Sequence, residues 1–184
     1  MIADFRVVLD ACVLANFAVT DVFLTFAEEP RLFLPIWSET ILEETRHAHA
    51  EIGWPEHLAK SFQEVLREQF PEAMVTGHEC LIEQCRNDQK DRHVLACAIH
   101  AHAEVIVTFN LRHFPEEALK SWNITAMHPQ DQLLLLYGLD QQLGLYKLMQ
   151  IANRRKVDLK DYLIDLGRSV PAFSYHVLEE TGTP

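Results

Sequence analysis

Two short apolar runs constrain this chain more than any other feature: RVVL at 6–9 and EVIVTFN at 104–110. Neither alternates apolar with polar residues. A strand with that pattern is buried on both faces, which requires helices on either side and favours parallel pairing. Each run ends in a polar residue, Asp10 in one case and Asn110 in the other. Between and beyond them the periodicity turns helical. One helical stretch is expected from about Val13 to Ala27. RLFLPIW is apolar but broken by Pro35, and Ser38 then caps a helix that carries Glu43 and Glu44. Pro55 suits the first turn of the next helix, whose apolar positions Leu58, Phe62, Val65, Leu66 and Phe70 recur at three and four residues, ending before Pro71. After a short apolar piece, AMV, the segment NDQKDRHVLACAIHAHAE reads as a capped start and a buried helix. A short helix is expected from about Pro115 to Ser121, then a weak strand, ITAM. The entry PQDQLLLLYGL opens a pattern that stays helical from Asp140 onward. Strands alternating with helices predict an α/β fold with a central parallel sheet covered on both faces.

With 184 residues, 48% hydrophobic and 23% charged, the chain can bury a core as one domain, with or without a terminal extension. The net charge of −11 argues against broad electrostatic attachment to nucleic acid or anionic membrane, so a polyanionic substrate needs metal ions or local basic side chains. No apolar run is long enough to span a membrane, and MIADFRVVLD lacks a signal-peptide layout, so a cytoplasmic protein is expected. Cys12, Cys80, Cys85 and Cys97 form no CxxC pair and read as free thiols.

In parallel α/β sheets the functional crevice lies at the carboxyl ends of the strands. Asp10 and Asn110 fall there, Glu44 follows the second strand, and Asp88 and Asp91 share the face of the first turn of the helix feeding VTFN. Taken singly, Asp10 could end a strand, Asp88 and Asp91 could cap a helix, and Glu43 and Glu44 could be a solvated helix face. Brought together, carboxylates repel one another unless a cation neutralises them. Hard oxygen donors select Mg²⁺ or Mn²⁺, ions that serve phosphoryl chemistry, so the combination points to a phosphodiesterase.

The segments VVLDACVL, WSETILEET, DQKDRHVLACAI and VIVTFNLRHFP, in that order from about Arg6 to His128, resemble the PIN-domain nucleases, particularly the VapC-like toxin branch of toxin–antitoxin systems. The resemblance implies a three-layer α/β/α PIN-like domain over about 1–130, with 131–184 as a helical extension packed on it. It also implies a metal-dependent endoribonuclease using Mg²⁺ or Mn²⁺, with RNA as substrate and an antitoxin protein as partner. Carried over by position, Asp10, Glu44 and Asp91 match family acids, and Asp88 matches an accessory acid. Asn110 stands in place of a fourth acid, and with Thr108 it would orient water or phosphate. Where the branch shows Asp before FP, this chain has His113, a poorer Mg²⁺ ligand.

Lys90, Arg92 and Arg112 flank the expected crevice and could hold RNA phosphates or simply pair with nearby acids. His93, two residues past Asp91, is expected to pack or cap, and the remaining histidines show no zinc-binding spacing. The basic run Arg154–Lys156 suits a helix carboxyl end. LLLLYGL and GLYKLMQI read as core or as a homodimer face. Two rival functions remain open. One is a PIN-like domain weakened in catalysis and kept for binding. The other is an aspartate-nucleophile phosphotransferase, which would want an acid where Cys12 stands.

Overall fold

The computed structural model describes residues 5–182. The expectation for the amino-terminal stretch falls partly on residues 1–4, outside the described residues. In chain order the elements are β1 (Arg6–Leu9), α1 (Ala11–Leu14), α2 (Phe17–Ala27), β2 (Leu34–Ser38), α3 (Glu39–Glu51), α4 (Glu56–Gln69), β3 (Met74–Val75), α5 (Arg92–His100), β4 (Val105–Val107), α6 (Glu116–Leu119), β5 (Thr125–Met127), α7 (Pro129–Leu139), α8 (Gln141–Arg155), α9 (Leu159–Leu166) and α10 (Pro171–Glu180).

The five strands form one sheet in the order β3-β2-β1-β4-β5, and every pairing is parallel. Helices flank it, the α/β/α arrangement that the alternating pattern predicts. Val7, Val8, Leu9, Ile106 and Val107 are wholly buried, which explains why the two central strands are apolar without a break. No helix among the described residues is long and apolar enough to cross a membrane.

The described chain divides into two compact units. One contains residues 5–15 and 34–128, and with them the whole sheet. The other contains 16–33 and 129–182, and is built of α2 and α7–α10. Within this helical unit, Asp140 and Asp158 cap α8 and α9 through the amides of Leu143 and Asp161, each at 2.9 Å. The basic run closes α8: Arg154 and Arg155 reach Asp21 at 3.3 and 2.7 Å, and Lys156 takes the left-handed conformation just past the helix.

Three expected elements differ in detail. The helix expected over 13–27 is two helices, because Asn16 adopts an extended conformation and its side chain accepts from Val19 N at 3.3 Å, starting α2 afresh. Asp88 and Asp91 precede α5 instead of forming its first turn. The Asp88 carboxylate accepts from Lys90 N at 3.0 Å, and this tightens residues 89–91 into a 3₁₀ turn. The helix expected over 115–121 ends at Leu119 and gives way to a 3₁₀ turn over Lys120–Trp122, closed by Asn123 at φ 55°.

Candidate active site

Strand order locates the crevice. From β1 the chain builds outward through β2 to β3, and it then crosses to β4 and β5 on the other side. The reversal point lies between β1 and β4, where neighbouring connections depart in opposite directions and leave an opening beyond the strands' carboxyl ends. Leu9 pairs with Val107 in register, so the next residue on each strand, Asp10 and Thr108, flank that opening. The Asp10 amide donates to Val107 O at 3.1 Å.

Asp10 is 3% exposed, yet its carboxylate is well supplied with donors. Oδ1 accepts from Ala11 N at 2.7 Å, while Oδ2 accepts from Thr108 Oγ1 at 2.6 Å and from the Cys12 thiol at 3.2 Å. The Asn110 amide in turn donates to Thr108 Oγ1 at 3.0 Å, and that of Phe109 to Cys12 Sγ at 3.3 Å. Burial, reinforced by the charge of Asp10, pushes the Cys12 thiol up to about 12, so it stays protonated and acts as a donor. This network holds the Asp10 carboxylate at the carboxyl end of β1 in one orientation.

Asp88, Asp91 and His113 converge beside it: one donor atom from each lies within 4.8 Å of the others. The loops bearing them are tied together. The Asp88 amide donates to His113 O at 3.0 Å, the Asp91 amide to Asp88 O at 3.0 Å, and Asn87 Nδ2 to Asp91 O at 3.0 Å. His113 Nδ1 lies 2.7 Å from Asp91 Oδ2, and both atoms are buried. Burial raises the pKa of Asp91, the charge of Asp10 raises it further, and the nearby imidazole offsets part of the rise.

Glu44 sits half-buried on α3, and its Oε1 lies 3.0 Å from His93 Nε2 on α5. His93 therefore does more than pack or cap: it orients Glu44. Neither Glu44 nor Asp10 belongs to the compact group formed by Asp88, Asp91 and His113. Glu43 is exposed on α3. Asn110 is half-buried just past β4. Of the basic candidates, Lys90 and Arg112 are exposed, Arg112 donating to His113 Nε2 at 3.2 Å. Arg92 is half-buried with its Nε enclosed. The contacts of His93 with Glu44 and of His113 with Asp91 carry no signal in sequence spacing, since the partners lie on other elements.

The PIN domain family matches residues 6–112, more than half of the chain. The chain belongs to the PIN-domain family. It is 51% identical over 75 residues to the Mycobacterium tuberculosis (strain ATCC 25618 / H37Rv) protein named "Putative ribonuclease VapC50", a stretch that makes up 41% of each chain. The chain spans about two fifths of the length of that relative. No solved structure matches.

PIN domains imply a divalent cation, and the residues present fit one. Asp91 holds a buried carboxylate oxygen with the His113 imidazole 2.7 Å away, and its pKa is nonetheless raised by burial and by a second carboxylate, the condition that a bound cation relieves. The surrounding donors are mostly hard carboxylate oxygens.

Proposed function

We propose that this PIN domain is a divalent-metal-dependent endoribonuclease, the toxin of a toxin–antitoxin pair, acting on RNA in the cytoplasm. The observation that supports the reading is Asp10 at the switch point of the sheet with Asp91 near enough for the charge of Asp10 to raise its pKa. Asp10, Asp88, Asp91 and Glu44 would hold Mg²⁺ or Mn²⁺, which supplies charge against the phosphate and activation of water.

The chain's own groups have distinct tasks. Thr108 and Cys12 fix the Asp10 carboxylate by donating to Oδ2, and His93 holds Glu44 in place. Asn110, next to this network, would orient water or a phosphate oxygen. Lys90, Arg92 and Arg112 would bind RNA phosphates locally, as a chain of net charge −11 cannot do so over its whole surface. An antitoxin that presents an Arg to these acids would neutralise them without metal.

Cleavage of single-stranded RNA in Mn²⁺ tests this reading. The wild type should leave 5′-phosphate ends and stop on chelation, and a folded Asp91→Asn protein should be slower by about a hundredfold or more, the upper range for loss of a metal-site group. Equal rates for the two proteins would refute the assignment. The contact of His113 with Asp91 favours one second reading, a binding domain whose acid is neutralised from within. Absence of Mn²⁺ binding by the wild type would decide for it.

A further inference from the structure

Resting on the metal-dependent reading, we infer that His113 is itself a ligand of the bound ion, through Nδ1, and that it turns this site away from Mg²⁺ towards first-row transition-metal ions. His113 occupies the position at which the chain departs from the acid expected of its branch, and the ring is not left in solvent there. A ring nitrogen of His113 lies with a carboxylate oxygen from each of Asp88 and Asp91 inside a 4.8 Å group, Nδ1 is 2.7 Å from Asp91 Oδ2, and the side chain is 25% exposed.

The placement is built by the backbone. His113 O accepts from the Asp88 amide at 3.0 Å, and the His113 amide donates to Asn110 O at 2.9 Å. The backbone of His113 is therefore anchored to the loop that carries the two acids, at one end, and to the segment just past β4 at the other. Preorganised donors lose little freedom when an ion binds, so such a ring competes effectively with water for a coordination position. The outer nitrogen, Nε2, faces Arg112 Nε at 3.2 Å. Ligation through Nδ1 places the ring proton on Nε2, and the exposed Arg112 side chain must then turn outward.

The donor set decides the selectivity. Mg²⁺ takes oxygen ligands in near-ideal octahedral geometry and gives up its waters reluctantly. Imidazole nitrogen adds affinity that rises along the first-row series from Mn²⁺ towards Co²⁺ and Ni²⁺, while it adds little for Mg²⁺. Replacing a branch acid with His113 thus trades a charged oxygen for a nitrogen donor. Carboxylates plus imidazole form a mixed site in which Mg²⁺ is disadvantaged twice, by the charge lost with the replaced acid and by the softer ligand.

Metal binding to the full chain, without RNA, tests the inference. Pulsed electron paramagnetic resonance of the Mn²⁺-loaded protein should show a directly coordinated ¹⁴N that persists in His93→Gln and vanishes in His113→Asp. Calorimetric titrations with Co²⁺ and Mg²⁺ should show the preference for Co²⁺ reduced by about tenfold or more in His113→Asp. Bound Mn²⁺ without nitrogen coupling, or coupling that survives His113→Asp, would overturn the role of His113 and leave the metal-dependent reading standing. Failure of the wild type to bind any of these ions would overturn both.

Discussion

Asp10 shows how much of this site depends on single side chains. Its Oδ2 receives a hydroxyl at 2.6 Å and a thiol at 3.2 Å, and the hydroxyl is the stronger donor. Thr108→Val keeps the shape and removes that donor, so Mn²⁺ affinity measured by calorimetry should fall by about tenfold, the usual effect of losing a group that orients a ligand. Asp91 gives a prediction in pH. Burial and the charge of Asp10 raise its pKa above the ordinary 3.8, so the folded metal-free protein holds this proton more tightly than the unfolded chain. The contribution to stability is full below the ordinary value and is lost as pH rises through the native one. The metal-free Asp91→Asn protein should therefore melt higher than wild type at pH 7, with the gap closing towards pH 4. A gap that widens on acidification would contradict the sign.

Individual elements were legible in the sequence where burial is uniform and obscured where a local polar contact intervened. RVVL and VIV show their strand nature directly because both faces are covered. The break between α1 and α2 was hidden because Val13 to Ala27 is apolar enough for one helix, and only the Asn16 side chain interrupts it. The acids of the site were legible from strand ends and family spacing. Their supports were not: Thr108 and Asp10 are 98 residues apart, Glu44 and His93 are 49 apart, and only the sheet order makes them neighbours. In the helical unit, Gly144 marks a close contact of α8 with α7. A Cβ there would lie 2.6 Å from Tyr137 Cδ2, and that ring is buried against Phe173 at 6.0 Å between centroids. Gly144→Ala should cost about 1–3 kcal/mol by overpacking, read as a lower denaturation midpoint with an unchanged slope.

At the scale of the whole molecule, charge limits how the proposed RNA substrate would be met. With 27 acids against 16 Lys plus Arg, affinity cannot come from a diffuse basic surface. If Lys90, Arg92 and Arg112 supply the phosphate contacts, the logarithm of RNA affinity in Mn²⁺ should fall against the logarithm of monovalent salt with a slope of about −2, three contacts at about 0.7 each for a single strand. A slope of about −5 or steeper would mean a basic surface elsewhere. The same surplus of acid makes a cation central to the account, because Asp10 and Asp91 would face the proposed phosphate-bearing substrate with the same sign of charge. Anomalous diffraction from crystals loaded with Mn²⁺ tests that claim most directly. The account predicts a strong anomalous peak within coordination distance of both Asp10 and Asp91, absent in Asp91→Asn; crystals in which Mn²⁺ binds only elsewhere, or equally well in the variant, would contradict it.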